Sequence, residues 1–380
     1  MRFLWIVTVL AAEILFAALP TQDQVCKKCH PAIFKEYYGS AHRKASVYND
    51  EVHRAVWEKH PLREKGKYGC KKCHSPSDTL KMREDGLPVK SAAQVHEPIS
   101  CVYCHAIKDV EKHAKANTNV IVTSKGERVL LFSADEKRKG QKITFKEERG
   151  FLGLTKKVTG SPYHDIDYGN EAYYTGRMCL GCHDHKQNAN QFAVCEMGLE
   201  QKGNKNSCIS CHMPQVAGSA TTIKKTGTHA YHGMGSVESL KLLERYITFK
   251  IEQTREGFTL LVKNEANHML LMHPLRMAKI TVELQREGKK EILKSTIFHR
   301  VIGKEGKPSM PWLANEVVAD TMLKAGETRK IPYGKKLQKG DRLTVILEYY
   351  RVSPKAAEKL GLQHSKAAES MILKKELFSF

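Results

Sequence analysis

Beyond its first twenty residues the 380-residue chain has no apolar run long enough to span a bilayer, so nothing in it reads as a polytopic membrane protein. It has no Gly-x-Ser-x-Gly elbow and no glycine-rich phosphate loop, which leaves serine-hydrolase and nucleotide-transfer chemistry without their working parts. Acidic residues are short in supply, 41 against 62 Lys and Arg, for a formal charge of +21. Apolar content, at 41%, is that of an ordinary soluble protein, and the length is enough for two or three domains with cores of their own. The single long apolar stretch follows Arg2 and runs from Phe3 to Pro20, broken only by Thr8 and Glu13. It reads as a secretory signal peptide. Leu15 and Phe16 stand where small residues are preferred before a cleavage point, so a retained N-terminal anchor is the alternative.

In an exported chain, eleven cysteines would ordinarily suggest a disulfide framework. Their spacing argues against one. Ten of them fall in five copies of Cys-x-x-Cys-His: Cys26, Cys29 and His30; Cys70, Cys73 and His74; Cys101, Cys104 and His105; Cys179, Cys182 and His183; Cys208, Cys211 and His212. This is the attachment signature of covalent haem c. Two thiols add to the two vinyl groups, and the adjacent His is held beneath the iron as its proximal ligand. Chance would supply on the order of 0.01–0.02 such motifs, so five are no accident. Zinc ribbons take paired Cys-x-x-Cys units, and five is an odd number of pairs; nor does zinc require a His after every second Cys. A thioredoxin-like reading lacks its βαβ context. Cys195, the leftover, reads as a buried structural thiol.

Whether such a chain carries electrons or performs chemistry depends on the second axial position of each iron. Two protein ligands leave an iron able only to pass electrons, whereas one open position admits substrate. Thirteen of the 18 His remain after the proximal five, an ample supply that by itself assigns nothing. No Met sits in a recognisable ligand context.

The motifs and their surroundings resemble the multihaem cytochromes c grouped with the tetrahaem cytochrome of ammonia oxidisers, from about residue 26 to about residue 362. The likeness is carried by Ser40-Ala-His42 with Asp50 beyond it, by Cys70 to Pro76, and by His96-Glu-Pro-Ile-Ser-Cys101. Ser161-Pro-Tyr-His164, Cys208 to Pro214, Thr228-His229-Ala-Tyr231, Asn264-Glu-Ala-Asn-His268 and Asp320 to Glu327 add to it. The resemblance implies His42, His96, His164, His229 and His268 as distal ligands. Asn267 and Leu271 depart from the family's Gly and Pro, which keeps His273 as an alternative to His268. His232 is an alternative to His229, and His53 and His60 are reserves near the first motifs.

The expected fold class is α+β. Residues 1–20 are the leader or anchor. Residues 21–242 form a mainly helical and irregular domain packed around five haems, with helices near Ala32–Tyr38, Asp50–Lys59 and each motif. A cysteine-free insertion at about 108–160 is expected to hold a β-hairpin, with 119–122 and 128–132 flanking a turn at Ser124-Lys-Gly-Glu127. From about residue 243 the pattern alternates: Ile247, Phe249 and Ile251, then Phe258, Leu260 and Val262, then Ile280, Val282 and Leu284, then Leu343, Val345 and Leu347. That predicts an antiparallel immunoglobulin-like β-sandwich over residues 243–380.

Five oxidised haems with ionised propionates contribute about −1 each, which leaves about +16. Such a field suits acidic partners, such as a redox protein, an anionic membrane surface or a small oxyanion. Export and haem exclude nucleic acid. The function these observations predict is a periplasmic carrier passing electrons between respiratory partners, a membrane-bound quinol dehydrogenase among them. The alternative is a reductase or oxidase of a small nitrogen or sulfur oxyanion at one open haem; no motif ends in the Lys of pentahaem nitrite reductases. A third reading makes the β domain a partner-binding module fed by the haems.

Overall fold

A computed structural model of the chain describes residues 23–122, 128–150, 154–197 and 207–380. The N-terminal apolar segment and the turn at 124–127 lie outside the described residues. Among the described residues no helix is long and apolar enough to cross a membrane.

The first half is built from short pieces. Pro31–Gly39 starts with Pro in its first turn, and Glu51–Glu58 starts on Asp50, whose carboxylate accepts the N–H groups of Val52 and His53. Single-turn helices mark the motifs: Lys71–His74, Cys101–His105, Leu180–His183 and Cys208–His212. Their side-chain cores are small. One is Val47, Trp57, Tyr68 and Leu87, and another is Phe132, Ala172 and Tyr173.

The strands of the insertion form, but they pair differently from the expected hairpin. Thr118–Ile121 turns back on Ile107–Glu111, and Val129–Phe132 runs parallel to His164–Asp167. The reason is burial: Val129 and Phe132 are both covered, Phe132 against Ala172 and Tyr173, and a hairpin across 123–127 would leave that apolar run without its cover. A second two-stranded antiparallel unit inside the insertion is Lys146–Arg149 with Lys156–Thr159.

The second half is an antiparallel sandwich, in keeping with the α+β class. One sheet has three strands, Ile247–Gln253, Phe258–Asn264 and Thr328–Tyr333. The larger sheet centres on Met277–Arg286, flanked by Thr296–Lys304 and Arg342–Tyr350, with Ser370–Ser379 beyond the latter. Alternate residues point inward. Phe258, Leu260 and Val262 from one sheet meet Ile280, Val282, Leu284, Phe298, Leu343, Val345 and Leu347 from the other.

The two halves are joined by packing and by ion pairs. Ala55 shares a cluster with Val352, Ala357, Leu360 and Ala367, and Val194 shares one with Ile302 and Ala314. Arg351 reaches the carboxylate of Asp50 at 3.1 Å. Cys195 lies in strand Ala193–Glu196, beside that second cluster, and burial pushes its thiol up to about 11.

Candidate haem-binding sites

Each motif places its three groups by the geometry of one helical turn. The two cysteines, three apart, share a face, and the next residue follows on the same side. Ser100 accepts the N–H of Tyr103 and so starts the third motif's helix. Ser207 and Ser210 form a reciprocal cap on the fifth.

The proximal imidazoles are oriented from behind. Nδ1 of His30 lies 2.7 Å from the Ala220 carbonyl, that of His74 3.2 Å from Ala45, and that of His105 2.6 Å from Phe132. A carbonyl only accepts, so each Nδ1 carries the proton and each Nε2 keeps its lone pair for a metal.

Three of the five have another imidazole facing them. His42 stands 5.8 Å from His183 between ring centres, His232 6.3 Å from His105, and His268 6.1 Å from His212. An imidazole nitrogen sits about 2 Å from a transition metal and its ring centre roughly 1 Å farther, so two rings closing one iron stand about 6 Å apart. These three pairs fit a haem iron. Burial, with its neighbour His105 next, pushes His232 down to about 4; burial pushes His183 to about 3 and His212 to about 4. His232, His183 and His212 are therefore held neutral, as a metal ligand must be.

His164 is near His30, whose charge pushes its pKa down after burial does, and its Nδ1 is a buried atom without a hydrogen-bond partner. An orphaned ring nitrogen of that kind fits a haem neighbourhood. His268, on the loop after Phe258–Asn264, is held by Nδ1 to its neighbour's carbonyl, Met269, at 2.7 Å.

Two expected distal imidazoles stand elsewhere. His96 is exposed, with Nδ1 3.3 Å from the Arg43 guanidinium. His229 has both nitrogens engaged, Nδ1 with Gly218 at 3.1 Å and Nε2 with Glu36 at 2.9 Å. The second carboxylate oxygen of Glu36 accepts the backbone N–H of His232 at 2.9 Å and so fixes the segment that presents His232 to His105. Glu36 lies 193 residues from His229, and no spacing rule could have found it.

The second motif differs. His53 lies 4.2 Å from His74 between ring centres, and both rings point their Nδ1 at the same Ala45 oxygen. Rings hung from one acceptor diverge; they do not face each other across an iron. His273 is also near His74, but its Nδ1 accepts the Leu275 N–H at 3.1 Å, which puts its proton on Nε2. His60, which stacks on Trp57 and tilts against Trp312, has the same arrangement with Leu62.

The motifs adjoin one another. Cys26 lies beside Cys101, Cys73 beside Cys182 and Cys179 beside Cys208. Gly176, at φ +77°, permits the last of these: a Cβ there would meet Cβ of Cys208 at 2.6 Å. Cys104 is close enough to Cys179 and Cys182 to raise their pKa values. The five sites form one connected array.

Residues 25–106 match the family described as cytochrome c554 and c-prime. The chain is also similar in structure to a penta-heme cytochrome c552 from Thermochromatium tepidum, with 19% identity and a TM-score of 0.69, over 94% of this chain and 98% of that one. Comparison with curated proteins finds no match.

Proposed function

We propose that this chain, which matches a cytochrome c family over residues 25–106 and shares the fold of a penta-heme cytochrome, is an exported carrier passing electrons through five covalent haems between respiratory partners. The observation that carries this reading is the set of facing imidazoles, His42 with His183, His232 with His105 and His268 with His212. The haems supply reversible one-electron chemistry. The chain's residues tether them, close the irons and keep substrate off. His164, near His30, is the candidate for a fourth pair. The adjoining motifs give a continuous route, and the basic surface steers an acidic or membrane-bound donor, such as a quinol dehydrogenase, to it. The Phe3–Pro20 segment, read as an export leader or anchor, supports a periplasmic location.

A second reading has its own observation. No ring among the described residues stands about 6 Å from His74 as in the three pairs, His53 being too close at 4.2 Å, and Arg276 lies near His273, which burial and then that guanidinium push down to about 3. An open iron beside a guanidinium suits reduction or oxidation of a small nitrogen or sulfur oxyanion. Carbon monoxide added to the reduced holoprotein separates the two. A pure carrier leaves the ferrous spectrum unchanged; an open second site shifts about one fifth of the Soret absorbance, one motif in five.

A further inference from the structure

The second motif has one feature that the first and third lack. The Ala45 carbonyl takes two imidazoles at once, His74 at 3.2 Å and His53 at 2.9 Å. The carbonyls behind His30 and His105 lie closer, at 2.7 and 2.6 Å, and no second imidazole shares them among the described residues. With the proton of His53 fixed on Nδ1, its Nε2 can only accept, and the Tyr68 hydroxyl donates to it at 3.0 Å. His53 and Tyr68 are 7% and 6% exposed, and their rings stack 5.7 Å apart. Trp57 meets Tyr68 edge-on at 5.0 Å and is pinned by its Nε1–H to the Gly86 carbonyl at 3.0 Å. Nothing in this buried array is free to swing away.

A proximal imidazole that donates strongly from Nδ1 is a more basic ligand and favours the ferric iron, so a weaker Nδ1 bond raises the potential. His53 competes for the oxygen that His74 needs. Tyr68, by donating to Nε2, polarises His53 and makes its Nδ1–H a better competitor. We propose that His53 and Tyr68 are positioning residues that hold the potential of the second-motif haem up by dividing the Ala45 carbonyl between two donors. Ala45 stands three residues after His42, the imidazole facing His183, and the helices of the second and fourth motifs, Lys71–His74 and Leu180–His183, pack against each other. The device therefore lies between the second and fourth sites, and its effect is to strengthen the second haem's pull on electrons from its neighbour. The inference rests on His74 being the iron ligand of that haem.

The test is a spectropotentiometric titration of the holoprotein beside its His53→Phe and Tyr68→Phe variants. His53→Phe keeps the ring and removes both nitrogens. It is expected to move one of five haem transitions to more negative potential by about tenfold in its reduction equilibrium, ~59 mV for one electron. Tyr68→Phe is expected to move the same transition in the same direction by less, and it decides the matter if His53→Phe fails to fold. A transition that stays in place or moves positive overturns the proposal. His74→Ala shows which idea has failed. If it disturbs one haem while His53→Phe and Tyr68→Phe disturb none, the competition alone is refuted. If it disturbs no haem, the ligand assignment beneath the proposal is refuted with it.

Discussion

The ring of His232 stands nearly parallel to that of His105, 6.3 Å away at 21°, while His229, three residues earlier, gives its Nε2 to Glu36 at 2.9 Å. Strand Thr228–Ala230 pairs with Gln215–Ala217 and turns His229 inward toward Glu36, so the following residues bring His232 to face His105. Replacing His232 with Ala should therefore convert one haem to high spin. His229→Gln should convert none. Electron paramagnetic resonance of the two oxidised variants reads the difference directly.

Glu36 accepts both the His229 ring and the His232 backbone N–H. Glu36→Ala leaves both donors without their acceptor, and hydrogen bonds to a charged group are worth about 2 kcal/mol each. The expected result is a lower melting temperature with partial high-spin character at the third motif, while Glu36→Gln retains more of both. Thermal unfolding followed in the Soret band checks it.

His268 follows a sandwich strand and stands 6.1 Å from His212, so under the proposed pairing the sandwich's stability and the fifth motif's ligation should be coupled. Leu260 is fully buried in the sandwich core. Leu260→Ala should cost about 3 kcal/mol. In a urea titration, the high-spin signal from loss of His268 should appear at lower denaturant than in the unaltered protein, together with the loss of β signal in circular dichroism.

In the sandwich, Arg286 grips Asp341 with two hydrogen bonds, 2.8 and 2.6 Å, and the Gln338 N–H adds a third at 2.8 Å. The guanidinium holds the Asp341 carboxyl below the ordinary carboxylate range. A folded-state pKa depressed in this way contributes stability that is present at neutral pH and is lost as pH falls below about 4. Asp341→Asn should melt lower than the unaltered protein at pH 7, by about 2 kcal/mol at most, and the gap should close toward pH 3. Calorimetry at the two pH values tests the sign.

The covalent part of the site was legible because it is local: thiols three apart and the next His share one turn. The sandwich was legible for the same reason, since Phe258, Leu260 and Val262 alternate with solvent-facing residues. Distal imidazoles are chosen by tertiary contacts that spacing does not encode. His96 precedes the third motif by only five residues and still ends at the surface, while Glu36 settles the competition between His229 and His232 from far away in sequence. Val129–Phe132 looked like half of a hairpin because its apolar run gives no sign of which strand will cover it. It found His164–Asp167, which also brings His164 toward His30.

The most direct measurement is low-temperature electron paramagnetic resonance of the oxidised holoprotein, with spin quantitated against total haem. Facing imidazoles at the third, fourth and fifth motifs and His164 near the first predict at least four low-spin haems of five, with any high-spin signal confined to one. Two or more high-spin haems would mean that these imidazoles do not close their irons, and the electron-relay account would fail.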